Sequence, residues 1–234
     1  MNHDKLKDKI IQSSYVGIIE VFATHPIEYV KTQYQATNSW KKITYNNHSF
    51  VNSMYPRLAT IIPMRTIFWS SLFYHKDNKS SVFWSSLSTS FIQTIADFPS
   101  DQIKARQICS AQSKNNLKLS WSNICSYMRG KYIQHGYLMH NYRNFIFLYN
   151  YYLFKKKNDN ILNNIFGSVC GVVLSHPFDT MKTLYHCEQP YLLKRNTNYE
   201  FIKMTKYLMN GVLMRAGNTT LSMVLGWSLF TYVF

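Results

Sequence analysis

Acidic residues are scarce in this chain. Its 234 residues carry 11 Asp and Glu against 26 Lys and Arg, a formal charge of +15. So few carboxylates give no acid pair in a credible catalytic cleft, while the excess of bases calls for an anionic partner. Glycine is also sparse, with 8 residues, and none lies in a GxxxxGK[ST] phosphate loop; GxSxG and HExxH are absent too. An enzyme is therefore not expected, and no cofactor is implied. The four cysteines, Cys109, Cys125, Cys170 and Cys187, form no CxxC and no paired ligand spacing. Neither a disulfide framework nor a structural zinc is expected, and the thiols read as reduced and inert. His25 and His176 lack ligand partners at fitting spacing, so no metal site is expected. The opening MNHDKLKDK has no apolar run and no Arg/Ser-rich presequence character, so a cleaved targeting peptide is not expected.

What remains is aromatic and weakly charged: 16% of residues are aromatic and 16% charged. Low-charge stretches long enough to approach a bilayer span cover 10–34, 51–74, 80–107, 132–154, 161–186 and 207–234. The mean hydropathy of −0.23 is too polar for a bundle buried in lipid on every face. It suits six amphipathic helices around a wet cavity, each showing lipid one face and water the other. A soluble nucleic-acid-binding protein is the reading that charge alone would suggest. It fails on the six stretches and on the absence of any nucleic-acid-binding signature.

One pattern organises the chain. Pro-x-acid-x-x-base occurs as HPIEYVK at 25–31, FPSDQIK at 98–104 and HPFDTMK at 176–182. With this content of acids and bases, a given proline would carry both partners by chance about once in 200. Three motifs at near-even spacing mark a triplicated unit: repeat one over 1–78, repeat two over 79–157 and repeat three over 158–234. Each repeat reads as helix, polar loop, helix. The loops after the odd helices contain short amphipathic runs, SFVNSMY and WSNICSYMRG.

A proline inside a helix removes a backbone hydrogen bond and kinks it, so Pro26, Pro99 and Pro177 mark kinks at equivalent heights. Acid and base three residues apart lie about one turn apart and can face a shared axis. Around a three-fold arrangement each acid meets the next repeat's base: Glu28 with Lys104, Asp101 with Lys182, Asp179 with Lys31. Water-accessible pairs are worth about 0–1 kcal/mol each, and a ligand can outbid a ring of that size.

The tripled PX[DE]XX[KR] pattern resembles the signature of the mitochondrial carrier family, along essentially the whole chain. The resemblance implies an all-α membrane protein with six transmembrane helices in three pseudo-symmetric repeats around a central cavity, with short matrix-side helices. It implies that Glu28, Lys31, Asp101, Lys104, Asp179 and Lys182 form a matrix-side gate, with Gln35 as the glutamine brace beneath it. Ile108 and His186 stand at the brace position of the other repeats. Gly17, Ser90 and Ser168 match the family's small packing positions.

Family spacing puts substrate contacts at Thr60, Tyr137 and Asn218, and Arg65, Arg143 and Arg215 lie on the same helices. Arginine's planar fork suits phosphate. Some of these arginines could instead snorkel or pack on aromatics, and the aromatics around Tyr137 could line core or lipid rather than stack a base. Glu20 and Asp97 could balance cavity arginines or take a proton. The family's second, cytoplasmic-side network is incomplete. Its nearest matches are Leu72-Phe73…Lys76, Tyr151-Tyr152…Lys155 and Phe230-Thr231, all without the acid.

The expected function is exchange of an anionic, phosphate-bearing metabolite, a nucleotide first, across the mitochondrial inner membrane by alternating access. Expected partners are that small anion and membrane lipid, including anionic lipid such as cardiolipin; no nucleic acid is expected, and the chain reads as a monomer. Phosphate, nucleotide cofactors or carboxylates remain open as cargo. A transport-inactive carrier-like scaffold remains open as well, favoured by the missing acids. The Asn, Lys, Ile, Tyr and Phe bias and the short repeats resemble a carrier encoded by a giant DNA virus, acting in host mitochondria.

Overall fold

The computed structural model describes residues 3–77, 81–110, 132–157, 161–187, 205 and 207–232. Among them are six α-helices and no strand: α1 His3–Thr37, α2 Asn47–Asp77, α3 Val82–Ser110, α4 Ile133–Lys157, α5 Ile161–His186 and α6 Val212–Tyr232. The chain is all-α.

Local chemistry sets several boundaries. α1 ends where Asn38 takes a positive φ of 51°, the left-handed cap that Asn tolerates, and its N–H closes on Tyr34 O at 2.8 Å. Asn46 then starts α2, its Oδ1 accepting from the backbone N–H of His48 and Ser49. Ser81 does the same for α3 through the N–H of Trp84. α6 begins after Gly211, at φ 82°, where a Cβ would also meet Lys31 Cγ at 3.3 Å. Pro26, Pro99 and Pro177 lie inside α1, α3 and α5, which run on through them.

Two expectations change here. The SFVNSMY run is not a separate connector helix: it forms the first turns of α2, because the Asn46 cap precedes it and the helix runs on through Pro56 and Pro63. WSNICSYMRG, with Cys125 and Gly130, lies outside the described residues; the one short connector helix among the described residues is a 3-10 turn at Trp40–Lys42. The cysteines are not all reduced either. Cys109 and Cys187 form a disulfide, while Cys170 is free. Short-range spacing could not show this pair, because its separation of 78 residues is the offset between Pro99 and Pro177. The repeat, not local sequence, brings the two sulfurs together.

Each helix packs on its successor and α6 returns to α1, which closes the bundle; α1, α3 and α5 also touch one another. Packing is inverted relative to a water-soluble bundle. Buried polar residues outnumber buried apolar ones. Many are small hydroxyls returning to the preceding turn: Ser86 to Val82 O, Thr89 to Ser85 O, Thr94 to Ser90 O and Ser168 to Asn164 O, each at 2.7 Å. Conversely, Ile11, Tyr15, Ile18 and Phe22 on α1 and Trp84, Leu87, Phe91 and Ile95 on α3 form helical-period stripes that face outward. Among the described residues, no helix is long and apolar enough to cross a membrane.

Candidate functional site

The acid and base of each motif face the same side of their helix, and the contact between α1, α3 and α5 brings all six groups into one layer. Lys104 Nζ lies 2.9 Å from Glu28 Oε1, Lys31 Nζ lies 2.7 Å from Asp179 Oδ2, and Lys182 pairs with Asp101. Each pair joins two repeats, so the ring closes on itself. Within-helix pairs reinforce it, Lys104 to Asp101 at 2.5 Å and Lys182 to Asp179 at 3.6 Å. Glu28 is half-buried; the other five are buried.

Gln35 lies one turn past Lys31 and holds the same corner. Its Nε2 reaches Thr180 Oγ1 at 3.1 Å and Asp179 Oδ2 at 3.4 Å, while Thr183 Oγ1 donates to its Oε1 at 3.1 Å. The motif histidines connect the layer to the even helices. His25 Nε2 is 2.9 Å from Phe50 O in α2, and His176 Nε2 is 2.9 Å from Asn210 O just before α6. Phe98 has no such bond and packs edge-on against Tyr137 and His186.

Arginines from the even helices crowd this layer. Arg57 on α2 pairs with Glu28. Arg143 on α4 reaches Asp179 at 3.4 Å, Asp101 at 3.7 Å and Asp97 at 3.9 Å. Arg215 on α6 stands 3.9 Å from Asp179. Bases therefore outnumber acids around the ring. Glu28, Arg57, Asp97, Ser100, Asp101, Lys104 and Arg143 line a polar pocket of about 160 Å³. That is smaller than the ~300–1,000 Å³ of whole-ligand sites, so it suits one polar group of a larger ligand.

The other residues expected at a substrate divide clearly. Thr60, one turn from Arg57, sits beside the pocket with its Oγ1 3.3 Å from Ser100 Oγ. Arg65 is not at the ring: it pairs with Glu20 at 2.5 Å, and Ser222 donates to the other Glu20 oxygen at 2.5 Å, tying α1, α2 and α6 further along the bundle. Glu20 thus balances an arginine, as Asp97 does. Asn218 lies one turn beyond Arg215, and its buried Oδ1 has no hydrogen-bond partner; neither has Arg215 Nη1. An unpaired donor and acceptor on one helix face are groups that a ligand can satisfy.

Tyr137 does not reach the charged pocket. It lines a separate apolar recess with Phe98, Ile133, Gln134 and Leu138. Six residues before Arg143, it stands about 120° around a 3.6-residue helix from that arginine. Two residues at the site escaped the sequence reading, Arg57 and His140. Arg57 carried a signal, a charge just inside an otherwise low-charge stretch; His140 carried none. His140 is fully buried, with Nε2 2.9 Å from Arg143 Nη2 and 3.4 Å from Asp97. Asp97, Asp101 and His140 are close enough to share a cation. Arg143 and Lys182 already bring positive charge to these groups, which opposes a metal there.

Of the incomplete second network, Lys155 lies over the rings of Tyr151 and Trp69, 5.7 and 6.0 Å from their centroids. The side chains of Leu72, Phe73, Lys76, Phe230 and Thr231 lie outside the described residues. No protein-family model matches the sequence, and no curated protein matches it either.

Proposed function

We propose that this chain is a membrane carrier of the mitochondrial-carrier type. It exchanges an anionic, phosphate-bearing metabolite, ATP, ADP or a deoxynucleotide, across the mitochondrial inner membrane by alternating access. The observation that carries the reading is the closed ring of Glu28–Lys104, Asp101–Lys182 and Asp179–Lys31 beneath a pocket where arginines from α2 and α4 meet it. A closed ring of ion pairs between repeats resists separation only modestly. An anion that draws Arg57, Arg143 and Arg215 away from Glu28 and Asp179 removes part of what neutralises the ring, so binding and opening share the same charges.

The inverted packing supports lipid as the surrounding solvent. Hydropathy averaged along a helix mixes its two faces, and here the inward face is Ser, Thr, Gln and His while the outward face is apolar. Length is adequate, since α6 with 21 residues spans roughly 31 Å at 1.5 Å per residue. The basic excess also favours anionic lipid at the rim.

The test is uptake of radiolabelled nucleotides, phosphate and carboxylates by liposomes containing the purified protein, empty or preloaded. Saturable nucleotide uptake that needs internal nucleotide and is lost in Arg215→Ala supports an exchanger. No uptake of any solute by folded protein leaves the carrier-like scaffold as the better account.

A further inference from the structure

The bonded cysteines sit at the end of the bundle that the ring closes. Cys109 lies ten residues past Pro99 and Cys187 ten past Pro177, equivalent places in two repeats; Ala36, buried, holds that place in the first. From Lys104 to Cys109 and from Lys182 to Cys187 is about 7 Å along each helix, in the direction away from the polar pocket. Ile108, Leu184 and His186, near the cysteines in sequence, are fully buried, but the two cysteines themselves are only half-buried. Neither cysteine is sealed in the core.

A covalent tie here differs in kind from the ring above it. Ion pairs exchange partners when an anion competes for them; a disulfide does not. With Cα atoms 6.2 Å apart, the ends of α3 and α5 are already near the limit of about 7 Å that an intact bridge allows. If the chain works by alternating access, as proposed above, this end must part for cargo to leave.

We propose that Cys109–Cys187 is a thiol–disulfide exchange site that latches the gate, closed when oxidised and released by a dithiol reductant acting from the side on which the ring closes. In release, one reductant thiolate attacks a cysteine sulfur, forming a mixed disulfide and freeing the other cysteine as thiolate. The second reductant thiol then displaces the remaining cysteine. The reductant ends as a disulfide, and its two electrons and two protons reside on the Cys109 and Cys187 thiols.

The test uses the full chain with Cys125→Ser and Cys170→Ser, oxidised, then divided into untreated and dithiothreitol-treated samples. Non-reducing peptide mapping of the untreated sample is expected to find the 109- and 187-containing peptides joined; their failure to join overturns the proposal. In ATP-loaded liposomes, labelled ATP exchange is expected to rise at least tenfold on reduction, with Cys109→Ser at the fast rate throughout; measurable exchange at equal rates before and after overturns the latch. Hydrogen–deuterium exchange without cargo separates the latch from the carrier reading. Reduction is expected to speed exchange at least fivefold in residues 28–36 of α1, which the disulfide does not touch. A rise confined to α3 and α5 marks a local staple and overturns the latch. A rise in α1 with no ATP movement in any form supports the latch and overturns nucleotide exchange.

Discussion

Lys31 and Asp179 are 148 residues apart in the chain and 2.7 Å apart in space. They are not equal partners. Asp179 also faces Arg143 at 3.4 Å, Lys182 at 3.6 Å and Arg215 at 3.9 Å, whereas among the described residues Lys31 pairs with Asp179 alone. One buried carboxylate gathers cations from α1, α4, α5 and α6, so the two ends of this bond answer differently to substitution.

Asp179→Asn leaves those cations crowded around a neutral amide and is expected to cost about 3–5 kcal/mol. In a chain of this length each kcal/mol moves Tm by roughly 2–4 °C, so a drop on the order of 10 °C is expected. Lys31→Met leaves Asp179 with three cations and is expected to lower Tm by only a few degrees, about 1 kcal/mol. Thermal unfolding of both variants in detergent checks this; equal drops refute the asymmetry.

The three ring pairs were legible because a repeat turns sequence offsets into spatial neighbours: equivalent motifs must meet around one axis, whatever the residues between them. The same logic would have found Cys109 and Cys187, had their offset been compared with that of the prolines rather than with short ligand spacings. Other parts were not legible. Family spacing gives Tyr137 as a position in a linear count, in which its rotation around α4 relative to Arg143 is invisible. Arg57 lies outside the repeated motif, although a charge so close to buried Ser53 and Pro56 needs a partner. The fate of His140 depends on how α4 packs against α3, which no local pattern encodes.

Arg57→Ala is expected to weaken nucleotide binding without unfolding the protein. Glu28 keeps Lys104 at 2.9 Å, so no carboxylate is left bare. Losing one charge-assisted contact corresponds to about 1.5–3 kcal/mol, roughly 10- to 150-fold in half-saturating nucleotide. Arg57→Lys is expected to recover only part of this, because an ammonium cannot present the planar fork. Exchange kinetics and Tm, measured side by side, check the separation; a large Tm loss in Arg57→Ala counts against it.

Arg215→Ala and Asn218→Ala are expected to act on affinity together. Arg215 Nη1 and Asn218 Oδ1 are the unpartnered groups one turn apart on α6. If one ligand satisfies both, the double variant loses less than the sum of the single losses, with a coupling of about 0.5–3 kcal/mol in a double-mutant cycle on nucleotide half-saturation. Strict additivity separates the two groups and removes Asn218 from the site.

Three glycines test the packing independently of function. At Gly167 an added Cβ would lie 2.7 Å from Phe154 Cβ and 3.1 Å from its Cγ, atoms fixed close to the α4 backbone that cannot swing aside. Overpacking of this kind costs about 1–3 kcal/mol, more than the ~1 kcal/mol that Ala gains over Gly within a helix. Gly217 is exposed, with nothing within 4 Å of the added atom, so there the helix gain stands alone. Gly226 is intermediate, its new neighbour Val16 Cγ1 at an ordinary 3.9 Å. Gly217→Ala is therefore expected to raise Tm by roughly 2–4 °C and Gly167→Ala to lower it by a similar amount or more, with Gly226→Ala near or above wild type. Tm values in that order support the α4–α5 approach; a stabilising Gly167→Ala would mean that these two helices lie further apart than described.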